Sequence, residues 1–290
     1  MKAKVLKRKN RLRGGTVLEL MVTVLLSSLL LTALYALFFN STKESLDGEI
    51  KIQTEETARA ILDMLSFDLR MIGSGMPLTQ ANFQAGDGDL GTAPYPIFTD
   101  TTATYLHFRA SEAGESSMLT NDFDTTLGTS TFNVVTGDLF KPGDIIYLAN
   151  YTVGGSDGLY GVVENVADNS ITLEDDYVSS PNAVFETGTV ITKVSEIIYN
   201  SPDDDSGITR DDGNGEVTLA PNSTFEVEFR DSSGNPIDLP LSASEIINEV
   251  ASVYITVTVN SQRKLSTGET FQAVAEQLVA IRNLMTIGNN

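Results

Sequence analysis

Hard oxygen ligands crowd one stretch of the chain, Asp203-Asp204-Asp205 followed by Asp211-Asp212-Gly213-Asn214-Gly215-Glu216. Carboxylate and amide oxygens at this density suit Ca²⁺, which takes roughly six to eight such ligands. The candidate ligands are Asp203, Asp205, Asp211, Asp212, Asn214 and Glu216. Their spacing completes no EF-hand loop, because in a register starting at Asp203 the fifth ligand position falls on Gly207. The competing reading is a solvated polar turn. Asp87 and Asp89, in Gly86-Asp87-Gly88-Asp89, read as a hairpin loop. Other chemistry is sparse. The chain has no Cys and one His, His107. Thiol nucleophiles, disulfides, thiolate or multi-histidine zinc sites and a histidine-containing triad are therefore excluded within a single chain. His107 stands beside Phe108 in an alternating stretch and reads as structural. No nucleophile elbow, P-loop or dinucleotide fingerprint occurs, and paired carboxylates carry no weight in so acidic a chain. The expectation is a protein that is not an enzyme, with no cofactor beyond the candidate Ca²⁺.

One carboxylate has an unusual setting. Glu19 opens an apolar run in which no charged residue occurs between Leu20 and Thr42. At about 1.5 Å per residue, such a run spans the roughly 30 Å hydrocarbon core of a bilayer as a helix, and a charge inside it needs a cationic partner. Residues 1–14 hold seven basic side chains (Lys2, Lys4, Lys7, Arg8, Lys9, Arg11 and Arg13) and no acid. The whole chain of 290 residues carries 19 Lys and Arg against 39 Asp and Glu, a formal charge of −20; beyond residue 14 the count is 12 against 39, or −27. This asymmetry predicts a cytoplasmic N-terminus, with everything after Lys43 on the other side of the membrane. A buried core helix would not explain the adjacent cationic block. A secretory signal has a shorter apolar region followed by a small-residue cleavage site, whereas Gly14 and Gly15 precede this one. Cleavage after Gly14 would create an α-amino group about one helical turn from Glu19, and the amine of a neighbouring copy would serve equally well. The acidic remainder has no surplus cations for phosphates, so direct contact with nucleic acid is not expected.

The segment Arg13-Gly14-Gly15-Thr16-Val17-Leu18-Glu19-Leu20-Met21-Val22 resembles the class III signal of type IV prepilins and type II secretion pseudopilins. That signal combines a basic leader, a Gly at the cut, a Glu fifth in the mature chain and a long apolar helix. The resemblance implies that a membrane prepilin peptidase cuts between Gly14 and Gly15, methylates the new amine of Gly15 and leaves the apolar segment attached. It further implies that Glu19 pairs with the N-terminal amine of an adjacent subunit during assembly, with other pilins and an inner-membrane assembly platform as partners. Gly15 departs from the Phe usual in the family. A cut after Gly15 would place Glu19 fourth, so the cut after Gly14 is preferred.

Four segments must position these residues: a leader (1–14), a transmembrane or filament-core helix (15–42), its amphipathic continuation (43–76) and a β-rich domain (77–290). In the continuation, Leu46, Ile50, Ala58, Ile61, Leu62, Leu65, Leu69 and Ile72 recur mostly at three- and four-residue steps, with Glu44, Asp47, Glu55, Asp63 and Arg70 on other faces. The spacing predicts one helix over residues 16–72, about 85 Å long, with Gly48 a soft point worth about 1 kcal/mol. Gly73-Ser74-Gly75-Met76-Pro77 supplies the stop. The stripe is too irregular for a coiled-coil stalk and suits packing on a sheet. Runs at 104–109, 131–135, 144–149, 160–166, 170–173, 190–199, 224–230 and 251–259 read as strands. Phe225, Val227 and Phe229 share one face, as in an antiparallel sheet with one wet side. The last run, with Phe271, Val274, Leu278, Ile281 and Met285, fits a helix by pattern alone.

Residues 58–73 are similar to the helix end of PilW-type minor pilins. That family and the J-type pseudopilins close with a strand ending in an Arg-Asn pair, which Ile281-Arg282-Asn283-Leu284 matches, so the resemblance implies a strand over 276–284. Residues 140–148 and 161–166 look like their mid-domain hairpins. The expected fold is α+β and pilin-like: a long N-terminal helix packed on a mostly antiparallel sheet. The expected function is that of a minor pilin, which primes type IV pilus assembly from the inner membrane and emerges at the filament tip. Its large soluble part would be hard to repeat along a thin fibre. Alternatives are a pseudopilin of a type II secretion system and, in another class, a membrane-anchored binding or hydrolytic β domain. Glu19 separates these classes, because a mere tether needs no charge in the bilayer.

Overall fold

In the computed structural model, helix α1 (Val17–Met71) runs without interruption for 55 residues, about 80 Å. The structure describes residues 17–76 and 96–281, apart from 113, 150–157, 176, 180–182 and 203–205. Gly48 does not break the helix; it lies on an open face where an added Cβ would meet nothing within 4 Å. Burial begins at Ile50 and follows the amphipathic stripe through Thr54, Ala58, Ile61, Leu62, Leu65 and Leu69. The helix ends where the glycines stop it, with Gly73 at φ 71° and Gly75 at φ 75°. That end is tied to the following strand, β1 (Tyr105–Ala110). Gly73 N donates to Arg109 O at 2.9 Å and Ser111 N to Ser74 O at 3.0 Å.

All the strand pairs are antiparallel. After β1 come β2 (Ser116–Met118), β3 (Phe123–Asp124), β4 (Thr131–Asn133), β5 (Ile145–Ala149), β6 (Gly158–Ala167), β7 (Ser170–Leu173), β8 (Val178–Ser179) and β9 (Val184–Phe185). Then follow β10 (Val190–Asn200), β11 (Ile208–Asp211), β12 (Val217–Ala220), β13 (Ser223–Arg230), a short helix α2 (Ala243–Asn248), β14 (Ser252–Lys264) and β15 (Thr270–Ala280). The large sheet runs β12-β11-β10-β5-β6-β7-β4, with β1 and β2 also on β10 and β8 on β6; β13-β14-β15 form a separate meander, and β3 pairs with β9.

Strand β10 serves two cores. Its residues 190–194 pair with β5, while residues 195–200 pair with β1. One core joins α1 to β1, the far half of β10 and the meander, through Leu65, Leu69, Phe108, Tyr199, Phe225 and Ile255 among others. The other fills the segment inserted between β1 and β10, around Phe123, Phe132, Leu159, Ile171 and Phe185.

The eight runs read as strands all lie on strands. The helix expected from the pattern of the last run is corrected: residues 270–280 form β15. Its partner β14 is dense in β-branched residues and buries Val253, Ile255, Val257 and Val259. Their pairing, from Ser252↔Ala280 to Asn260↔Gln272, overrides the helical spacing. The strand inferred from resemblance over 276–284 is present as far as Ala280, and residues 282–284 lie outside the described residues. Helix α2 was not anticipated, although Ser242 and Glu245 form a complete capping box legible as Ser-x-x-Glu.

Gly75 combines a positive φ with close approach: an added Cβ would lie 2.6 Å from Thr192 Cγ2 and 2.8 Å from Ser111 Cβ. Gly75→Ala is expected to lower stability by about 2 kcal/mol or more, read by urea unfolding in detergent micelles. Gly48→Ala, on the open helix face, is expected to be neutral or stabilising by up to about 1 kcal/mol.

Candidate functional site

The first half of α1 presents apolar side chains on every side. Val17, Leu18, Leu25, Leu31, Leu37 and Phe38 are all exposed, with Val17 at 77% and Phe38 at 72%. An 18-residue window there has a mean hydropathy of 2.2 and none of it is buried, so the helix is long and apolar enough to cross a membrane. Four of its hydroxyls are turned away from that surface. Thr23, Ser28, Thr32 and Thr42 each donate back to a carbonyl three or four residues earlier, which satisfies the donor within the helix. Glu19 lies in the first turn, where the helix dipole favours a negative charge. The expected cut between Gly14 and Gly15, and the Gly15 amine, lie outside the described residues.

The second half of α1 is locked to the β domain by polar contacts near both of its ends. Near the exposed half, the Asp47 carboxylate accepts from Ser266 N at 2.8 Å and Ser266 Oγ at 2.6 Å, in the β14–β15 turn. These bonds hold the Asp47 carboxyl below its usual range. Near the other end Ser66 Oγ donates to Gln277 Oε1 at 2.7 Å. At the far end Asp68, only 3% exposed, accepts from Tyr199 OH at 2.6 Å and Arg210 Nε at 2.9 Å. Arg210 also donates to Asp212 at 2.7 Å and to Glu112. Burial, with the Asp68 charge beside it, pushes the Tyr199 phenol far above its ordinary value. Burial works against the Arg210 charge, but its bonds to Asp212 and Asp68 outweigh that and raise its pKa.

A second buried polar cluster sits between the two cores. Arg109, 1% exposed, donates to Glu196 Oε1 at 2.7 Å and to Tyr160 OH at 3.0 Å. Its guanidinium lies 4.2 Å from the Phe98 ring centre and 5.0 Å from that of Tyr160. His107 stacks on Phe98 with ring centres 3.5 Å apart and contacts Asp100 through Nδ1 at 3.3 Å. Its Nε2 stands 3.7 Å from Glu196 Oε2. Burial opposes ionisation of Glu196, but the contact with His107 and the charge of Arg109 prevail and hold its carboxyl below the ordinary range.

Of the candidate Ca²⁺ ligands, Asp203 and Asp205 lie outside the described residues, as do Asp87 and Asp89. Asp211, Asp212, Asn214 and Glu216 share the β11–β12 connection. There, Asp211 Oδ1 accepts from Gly213 N at 2.9 Å and Gly215 N at 3.2 Å. Asp212 Oδ1 accepts from Asn214, and its Oδ2 from Arg210. Burial works against Asp212 ionising, but Arg210 and Asn214 hold its carboxyl below the usual range. Among the described residues no group of three or more His, Asp or Glu is placed to hold a metal ion.

No family model, curated protein or solved structure matches this chain. The functional reading therefore rests on the exposed helix and on its rigid attachment. Sequence reasoning placed the helix and Glu19 but missed Asp68, Arg109 and Arg210 as buried charges. Their partners come from segments far apart in the chain, and only Asp68, a carboxylate within an apolar stripe, signals its role locally.

Two predictions follow from the ion clusters. Asp68→Ala removes the most buried of the three carboxylates on Arg210 and the acceptor of the Tyr199 hydroxyl, and with Asp212 and Glu112 still on the guanidinium it is expected to cost about 1–3 kcal/mol in urea unfolding. Glu196, whose folded pKa is depressed, contributes stability that is present above its unfolded value of about 4.3 and is lost as pH falls through the folded value. Glu196→Gln should therefore be destabilised relative to the parent at pH 7, and the gap should narrow as pH falls below the unfolded value and close once it passes the depressed folded value.

Proposed function

We propose that this chain is a pilin-like subunit, specifically a minor pilin that helps to start a type IV filament and stays at or near its tip. One observation carries the reading: a single continuous helix has one half with exposed apolar side chains all round and a carboxylate in its first turn, while the other half is built into a β domain. An anchor alone has no need of rigid continuity with its cargo domain or of Glu19. A filament subunit uses both. The apolar half rests in the lipid before assembly and against other apolar helices after it, and the rigid join fixes where the β domain sits on the fibre.

On this reading, the basic leader stays in the cytoplasm and the β domain faces the opposite side of the inner membrane. Prepilin peptidase removes residues 1–14 and methylates Gly15. The Glu19 carboxylate then pairs with the Gly15 amine of the neighbouring subunit, neutralising both charges as they leave the headgroup region. On this reading the chain acts as a structural subunit: the two ion clusters tie elements together, and the net charge of −20 gives no support for gripping DNA.

Mass spectrometry of the N-terminus from native membranes is the direct test. A peptide beginning at N-methylated Gly15, lost when the peptidase is removed, is the expected result; an intact Met1, or a cut beyond Thr42, would overturn the reading. Glu19→Ala is expected to be cleaved normally yet to incorporate poorly into filaments, and Gly14 replaced by a bulky residue is expected to keep its leader.

A further inference from the structure

The meander β13-β14-β15 has two edges that are treated differently. On the β13 edge, Phe225 N donates to Ser201 Oγ, Val227 N to Ala103 O at 2.8 Å, and Phe229 O accepts from Ile237 N at 2.8 Å. These contacts close the edge, as a sheet edge is ordinarily closed. The backbone phase of the other edge is fixed by two bonds. Asn260 N donates to Asn222 O and Ile281 N to Ala251 O, so odd-numbered residues of β14 face β15. Paired residues in β15 have odd numbers too, from Val253↔Val279 to Val259↔Ala273. The backbone groups of Gln272, Val274, Glu276, Leu278 and Ala280 consequently point away from the sheet, and among the described residues β15 pairs with β14 alone.

The same residues have their side chains on the face away from α1. Val274 is 55% exposed and Leu278 54%. The strand has no Pro, and Glu276 is its one charge, so the usual means of blunting an edge are nearly absent. Beside the edge, between β15 and α1, lies a cleft of about 300 Å³ lined by Glu55, Ala58, Arg59, Phe271 and Ala273 among others. The outer face nearby carries Glu226, Glu228 and Glu276, with Arg230 already spent on Glu228 at 2.7 Å. A second copy of this −20 chain would meet that face with like charge.

We propose that the open edge of β15 receives an extended segment of a partner protein by strand addition, the segment having apolar residues beside Val274 and Leu278 and a Lys or Arg beside Glu276. Main-chain hydrogen bonds to the even-numbered residues provide the hold. The outward side chains, together with the cleft against α1, provide the selection. This inference does not depend on the filament reading, since it concerns the β domain alone.

The test uses the full chain in detergent micelles and a synthetic nine-residue peptide of alternating valine and threonine, with lysine replacing the central valine. Binding is expected, with slowed NMR amide exchange at Val274, Glu276, Leu278 and Ala280. N-methylation of the peptide on the amides that face β15 is expected to weaken it on the order of tenfold or more, as is Val274→Pro, whose lost N–H is one that β14 does not use. Replacing the central lysine by glutamate should weaken binding, and Glu276→Lys should reverse that preference. Should Val274→Pro not fold, the N-methylated peptide on the parent chain decides the matter alone. Three results would overturn the proposal: edge amides already protected without peptide, which would mean that the chain covers its own edge; self-association that Val274→Pro abolishes, which would assign the edge to a second copy; or binding indifferent to N-methylation.

Discussion

Burial of Ala58, Ile61, Leu65 and Leu69 of α1 against Val253, Ile255, Val257 and Val259 of β14 dictates where the neighbouring elements can go. Each fully buried Leu or Ile contributes about 1.5–3 kcal/mol, so this stripe holds the helix to the sheet. Such a surface has little power to choose its register. Sliding α1 by one turn, about 5.4 Å, would set leucine against valine again. The choice is made by the polar contacts spaced along the helix: Asp47 on the turn of the hairpin, Ser66 on Gln277, and Asp68 on Tyr199 and Arg210. A displaced Asp68 would be a buried charge with no cation, the costly arrangement. Adhesion and alignment are thus assigned to different chemistries on one helix.

The same logic operates at the join between the two cores. Strand β10 passes from one to the other, and Arg109 with Glu196 sits where it changes partners from β5 to β1. Tyr160 from the inserted part and Phe98 from the helix-side part flank the guanidinium. Planar aromatic faces and a bidentate-capable fork suit arginine here in a way that lysine would not match.

The long helix was legible because its signals were local and redundant: an uncharged apolar run, a three- and four-residue stripe, and glycines at the stop. The longer strands were legible for the same reason, since period two survives over five or more residues. Strands β2, β3, β8 and β9, of two or three residues each, are too short to show a period: β2 and β8 are recruited by the long strands β10 and β6, while β3 and β9 pair only with each other, in the core around Phe123 and Phe185. Strand β15 misled for an instructive reason. Two of its bulky apolar residues, Val274 and Leu278, are four apart and face outward, while the inward positions carry the small or polar Ala273, Ala275 and Gln277 beside Phe271 and Val279. Reading hydrophobicity as a map of the interior therefore traced the wrong face. In the candidate site, Glu19 was legible because a charge inside an apolar run is conspicuous by itself, whereas Asp68, Arg109 and Arg210 become intelligible only when distant segments meet.

The two halves of α1 present one problem in two forms. In the β domain, the domain itself covers the apolar stripe. From Val17 to Phe39 nothing among the described residues covers the side chains, and a surface so large is costly in water. Lipid is one remedy and, on the proposed filament reading, the apolar helices of neighbouring subunits are another; the helix suits both, since Thr23, Ser28, Thr32 and Thr42 turn their hydroxyls back onto its own carbonyls. A surface that does not distinguish the two environments can move between them at little cost, which is what the proposed passage from membrane into fibre requires. The discrimination then falls to Glu19. Its charge is tolerable near the headgroups but penalised deeper unless a cation accompanies it, so on the proposed filament reading the carboxylate makes the passage conditional on a cation where the apolar side chains leave it unconditional.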